Sequence, residues 1–130
     1  MRTTLALICL CFLSFVYAQE KETWFCDSVL TTGVRQNGDK WESFSTSGDD
    51  WKLVLDGEYS IMTRLPGSDF TIRCEKRPFV GDIVCTGPNG VTVNIDVRTG
   101  TGALSDMFYI TAGAPGEEKA LLSVLSCVKS

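Results

Sequence analysis

Six cysteines stand in a chain of 130 residues: Cys9, Cys11, Cys26, Cys74, Cys85 and Cys127. Where they fall constrains the fold more than any other feature. Cys9 and Cys11 lie inside an N-terminal segment that reads as an export signal. Met1 and Arg2 give a basic start, Leu5 to Val16 is apolar apart from Ser14, and Val16-Tyr17-Ala18 ends the run with side chains that signal peptidase accepts. An apolar run that short does not span a bilayer. Cleavage after Ala18 is expected, so that residues 1–18 are a signal peptide and residues 19–130 a single mature domain. Ile8 precedes Cys9 and Leu10 precedes Cys11, where lipid attachment wants a small residue, so no lipid anchor is expected. No later segment is long and apolar enough to cross a membrane, and no stable membrane insertion is expected after cleavage.

Four cysteines therefore enter an oxidising compartment, and an even number there reads as two disulfides. They allow three connectivities, and spacing favours one of them. Cys74 ends the strand-like Phe70 to Arg73 and Cys85 ends Asp82 to Val84, with Pro78 and Gly81 between them, so neighbouring strands can bring the two together. Cys26 with Cys127 then ties the start of the mature chain to its end, closing a loop of about 100 residues worth about 4.7 kcal/mol in the chain-entropy picture. The cysteines neither cluster nor form Cys-x-x-Cys, which speaks against redox catalysis and metal binding; no cofactor or metal is expected.

The remaining pattern is all-β. Trp51 to Leu55 and Val91 to Val97 alternate apolar and polar side chains. Strand-like runs at Tyr59–Arg64, Phe70–Cys74, Asp82–Thr86 and Met107–Thr111 lie between Gly, Pro, Asn and Asp punctuation, with no helical pattern to carry a crossover. The expectation is a small antiparallel barrel or sandwich of about seven or eight short strands. Asn89-Gly90 signals a hairpin with a type I′ turn. At Asp56-Gly57 a three-residue loop is preferred, because it matches Trp51, Leu53 and Leu55 with Tyr59, Ile61 and Thr63 instead of Glu58, Ser60 and Met62. Arg98 to Ala103 reads as a mobile loop. The segment from Glu117 to Val128 fits a helical stripe or a strand; the strand is preferred, since beside the first strand it would close a barrel and leave no open edge.

Function is narrowed mainly by exclusion. The chain has no histidine, which removes the usual general base, the commonest zinc ligand and the usual pH switch. The formal charge of −4 becomes −5 once Arg2 is removed, and an acidic chain is a poor nucleic-acid binder. Asp49 and Asp50 before Trp51, with Asp56 and Glu58 beyond it, could bring carboxylates together beside a tryptophan for a carboxylate-dependent hydrolase. Turn formation explains the same acids without chemistry. Lys76 and Arg77 beside Pro78 and Phe79 form a small basic tip. Trp24, Trp41 and Trp51 are the candidate binding residues, with core packing as the competing role.

In Trp24-x-Cys26 near the mature start, the central Cys74 and Cys85 and the final Cys127, the chain resembles small secreted bacterial proteins of unknown function. That resemblance implies export and carries over no active site. The leading expectation is a secreted or periplasmic, non-catalytic binding or interaction module for an unknown protein or small ligand. The hydrolase and a barrel that carries a small apolar ligand are the alternatives.

Overall fold

A computed structural model describes residues 20–57, 59–107 and 119–130. The expected signal peptide, Glu58 and most of the strand expected at Met107–Thr111 lie outside the described residues. Among the described residues nine strands follow one another: β1 (Glu22–Asn37), β2 (Lys40–Thr46), β3 (Asp50–Leu55), β4 (Tyr59–Leu65), β5 (Asp69–Arg77), β6 (Asp82–Thr86), β7 (Thr92–Asp96), β8 (Thr101–Asp106) and β9 (Lys119–Lys129). Each of β3 to β9 pairs antiparallel with the next, and β1 pairs with both β3 and β9. Strands β1 and β3 to β9 therefore close an eight-stranded antiparallel barrel. The preferred strand at the C-terminus is present, and it closes the barrel as expected.

Both disulfides join residues directly opposite in the register. Cys26 on β1 faces Cys127 on β9, and Cys74 on β5 faces Cys85 on β6; each pair is bridged. The two bridges point to an oxidising, extracytoplasmic compartment. Among the described residues, no helix is long and apolar enough to cross a membrane.

An eight-stranded barrel is just wide enough for side chains to fill it. Leu53, Met62, Ile83, Ile95 and Leu125 point inward and are almost wholly buried, with Trp24 and both cystines packed among them. One ring of paired inward residues runs Ile83, Ile95, Gly102, Leu125, Ser28 around β6, β7, β8, β9 and β1. Gly102 belongs there because the space of its missing Cβ is taken by Ile95 Cγ1 at 3.3 Å, Leu125 Cβ at 3.4 Å and the Asn94 carbonyl oxygen at 2.9 Å.

Three local expectations are corrected. Leu53 pairs with Met62 and Val54 with Ile61, so the β3–β4 connection has the even parity and Ser60 and Met62 face inward, while Tyr59 and Ile61 are exposed. The core accepts a serine because the Ser60 hydroxyl takes a hydrogen bond from the Asp56 backbone N–H at 3.4 Å. Outside, Arg73 donates to the Tyr59 hydroxyl at 3.1 Å and its guanidinium lies over the Tyr59 ring, giving the tyrosine an exterior partner. Second, the β6–β7 hairpin is not a two-residue turn. Thr86 pairs with Thr92, and residues 87–91 form a loop with a 3-10 turn at Pro88–Gly90, closed by the Gly87 N–H donating to the Val91 carbonyl at 2.7 Å. Proline pre-sets the φ that such a turn needs. Third, Arg98 to Ala103 is not a mobile loop: Thr101 to Ala103 are part of β8, and Gly100 makes a tight turn held by hydrogen bonds from its N–H to Asp96 and from the Cys127 N–H to its carbonyl.

Strand β1 is long enough to serve two purposes. Its first half, Glu22 to Cys26, pairs with β3; its second half, Thr31 to Asn37, pairs with β2. Between Ser28 and Leu30 the register against β9 slips by one residue, a β-bulge that turns both Val29 and Leu30 outward. Above the bulge, among the described residues, β1, β2 and the start of β9 continue as an extension of the sheet, three-stranded where β8 ends opposite Leu121, with β2 paired only to β1.

Candidate functional site

The two ends of the barrel differ in chemistry. At the end where β1 begins, Glu22 accepts hydrogen bonds from Trp24 Nε1, at 3.1 Å, and from Lys76, and forms an ion pair with Lys129 at 3.2 Å. Burial pushes the Glu22 carboxyl up, but the two lysines together outweigh it and hold the group below its ordinary range. Arg77 pairs with Asp82 and Arg98 with Asp96, so the cations at this end are matched by acids. The basic tip anticipated at Lys76 and Arg77 is thus engaged in ion pairs, with Phe79 beyond it fully exposed.

The opposite end is open. A cavity of about 150 Å³ lies under the extension, lined among others by Trp51, Arg64, Asp49, Asp106, Lys119 and Ser123. A second concavity of about 290 Å³, toward the β6–β7 loop, shares Trp51, Arg64 and Asp106 with it and adds Phe70, Pro88 and Val91. Trp51 and Phe70 meet edge to face, with ring centroids 6.2 Å apart and planes at 84°. Arg64 Nε lies 3.0 Å from Asp49 Oδ2, and the backbone carbonyl of Asp49 accepts the Ser28 hydroxyl, which ties the β2–β3 connection down over the rim. At the floor, the buried hydroxyls of Thr31 and Ser123 bond to each other at 2.8 Å.

Each element delivers its residue by parity. Trp51 points inward with Leu53 and Leu55 and opens β3 at the rim; Arg64 is its partner on β4; Asp106 and Leu121 pair at the top of β8 and β9. The mouth consequently joins an aromatic corner to two cations, two carboxylates and several hydroxyls. Such a mixture holds a polar ligand through a few convergent groups while an apolar wall takes its flat face.

The three tryptophans are not brought together. Trp24 is in the core, Trp41 is exposed on the outer face of the extension, and Trp51 lines the mouth. Asp49 lines the mouth, whereas Asp50, paired with Leu65, takes the outward parity next to Trp51 and lines neither concavity, and Asp56 is at the far end of β3, paired with Lys21 at 3.4 Å. Glu58 lies outside the described residues. Arg64, Phe70, Asp106 and Lys119 are the lining residues that sequence reasoning missed. The signal for Arg64 was present: Ser60, Met62 and Arg64 share one face, and the even parity at Asp56-Gly57 would have pointed Arg64 inward beside Trp51. Comparison of the chain with protein-family models, with curated proteins and with solved structures finds no match. The class is therefore defined by the structure alone: a small antiparallel β-barrel with two disulfides.

Proposed function

We propose that this is an exported, non-catalytic binding module, cleaved after Ala18, that seats a small neutral polar ligand at the open end of the barrel. One observation carries the reading: two adjoining concavities share Trp51, Arg64 and Asp106, while the interior beneath them is filled with side chains. A ligand thus rests on the mouth and does not enter the barrel. The charges there favour a neutral ligand, since Arg64 and Lys119 stand against Asp49 and Asp106. Paired hydrogen-bonding groups beside an aromatic corner suit a hydroxyl-bearing ring, the chemistry of a sugar unit, whose apolar face lies against Trp51 and Phe70 while its hydroxyls meet Arg64 and the carboxylates. The apolar-in arrangement of the barrel also supports release from the membrane after export, because barrels that reside in a bilayer carry their apolar band outside.

A glycan array followed by titration calorimetry tests this. A binding ligand is expected whose affinity falls about thirtyfold or more in Trp51→Ala and in Arg64→Ala, the loss of one hot-spot contact. Ile61→Ala, on the outer wall of β4, is expected to leave affinity unchanged. Binding that survives both mouth substitutions would move the site elsewhere.

A further inference from the structure

The β5–β6 hairpin projects from the end of the barrel opposite the mouth. Its register runs Cys74–Cys85, Glu75–Val84, Lys76–Ile83, Arg77–Asp82, past the Tyr59–Arg73 pair at which β4 begins. The tip is fixed from several sides. The Arg77 carbonyl accepts the N–H groups of Val80 at 3.1 Å and Gly81 at 2.8 Å, the Gly81 carbonyl accepts the Val97 N–H at 2.9 Å, and the Arg77 guanidinium pairs with Asp82 across the base. Gly81 has φ +78°, which the turn requires. The Cys74–Cys85 bridge closes the hairpin further down. Held this way, Phe79 stands wholly in solvent and Val80 is more than half exposed. A side chain that removes no apolar area from water adds nothing to folding, whereas a rigid loop that presents it loses little freedom on binding.

We propose that Phe79 docks in the mouth of a second copy, against Trp51 and Phe70, so that copies join head to tail. The receiving wall is apolar: the concavity of about 290 Å³ toward the β6–β7 loop is lined by Trp51, Phe70, Pro88 and Val91. An apolar cavity of about 150 Å³ holds benzene, so this one has room for a phenyl ring. Trp51 and Phe70 already meet edge to face, and a third ring at that corner repeats the arrangement. Its lining comes from β3, β4, β5, β8 and the loops after β4 and β6, so the extension takes no part in it. Charge favours this occupant over an anionic surface. At the tip Lys76 is matched by Glu22, Arg77 by Asp82 and Arg98 by Asp96, while at the mouth Arg64 and Lys119 stand against Asp49 and Asp106. Two balanced surfaces meet without like-charge repulsion, and the aromatic contact carries the join. Tip and mouth lie at opposite ends of the barrel, since Lys76 meets Glu22 where β1 begins and Trp51 pairs with Arg64 at the other end. The contact is therefore heterologous, and repeating it builds an open chain in which each mouth holds a neighbour's Phe79. The tip and a small ligand exclude each other there, but the docking does not depend on the ligand being a sugar.

Sedimentation velocity on the exported protein with both disulfides intact tests the inference; a contact built on one anchor is weak, so the range runs from about 10 µM to about 1 mM. The expected result is a mass that rises with concentration, and an association that Phe79→Lys and Trp51→Ala each weaken about thirtyfold or more. An equimolar mixture of these two variants is expected to associate again and to stop at dimers, because the Phe79 of one enters the intact mouth of the other and neither pair can extend. Ile61→Lys, on the outer wall of β4, is expected to leave association in place. Phe79 is wholly exposed, so its replacement keeps the fold; should far-ultraviolet circular dichroism show that Trp51→Ala has lost it, Val91→Lys on the same wall takes its place. A monomer across the whole range, an association indifferent to Phe79→Lys or to the mouth substitution, or a mixture that stays monomeric overturns the proposal. Glycan binding is measured on Phe79→Lys, whose mouth is intact, so either conclusion can fail without the other.

Discussion

Glu22 shows how a single residue organises one end of the molecule. Its side chain is only 10% exposed, so its negative charge is tolerable because Lys76, Lys129 and the Trp24 indole satisfy it. A carboxyl held below its ordinary value of 4.5 contributes its stability in full above that pH and loses it as pH falls through the folded value. Asp96 behaves in the same direction, its carboxyl held at about 2 by hydrogen bonds from the Arg98 side chain and backbone. Its pair is exposed, so screening leaves it little weight. Thermal unfolding followed from pH 7 down to pH 2 should therefore show a melting temperature that declines below about pH 4.5. Glu22→Gln should flatten that decline and cost about 1–2 kcal/mol at neutral pH, whereas Asp96→Asn should change little. An acid limb unaffected by Glu22→Gln would place the titrating group elsewhere.

At the level of elements, tight turns hold the register. Gly100 has φ +72°, and a Cβ there would lie 2.2 Å from the Cys127 carbonyl oxygen, so the β7–β8 turn needs glycine for two reasons. Gly38, at the tip of the β1–β2 hairpin, has φ +60° and open space around it, so it needs glycine for one. Denaturant unfolding should separate the two. Gly38→Ala should cost about 1 kcal/mol from backbone strain alone, and Gly100→Ala about 3 kcal/mol, because the clash pushes against β9 beside the Cys26–Cys127 bridge. Elements also show where the sequence was legible. Alternation identified β3 and β7, and the cysteines forecast the β5–β6 pairing. Strand β1 was opaque because its bulge shifts the inward set from Trp24 and Cys26 to Thr31, so no single period runs through it. The β3–β4 parity was misjudged because apolar matching favoured Ile61 and Tyr59. Tyr59 is held outside by Arg73, a partner that only the fold supplies, Ile61 follows it by parity, and Ser60 is satisfied from a loop.

For the whole molecule, closure is the central event. Eight strands become a barrel only when β9 meets β1, elements about a hundred residues apart, and Cys26–Cys127 locks that meeting with a sequence separation of 101 against 11 for Cys74–Cys85. Loop-closure entropy gives about 4.7 and about 2.8 kcal/mol for the two bridges. Replacing Cys26 and Cys127 by alanine should accordingly destabilise the protein by about 2 kcal/mol more than replacing Cys74 and Cys85, read from denaturation midpoints at constant slope. Equal losses would mean that the unfolded chain is already compact across β1 and β9. The sequence alone determined the all-β class, the four paired cysteines, the preference for a closing C-terminal strand, and the exclusion of histidine chemistry. These follow from composition, spacing and local period, which act within a few residues or through covalent bonds. Tertiary structure decided which tryptophan faces the core, the mouth or the outside, and that Arg64 and Asp106 meet Trp51. Those outcomes depend on bulges and strand parity, where one residue of slip exchanges inside for outside and no local signal records it.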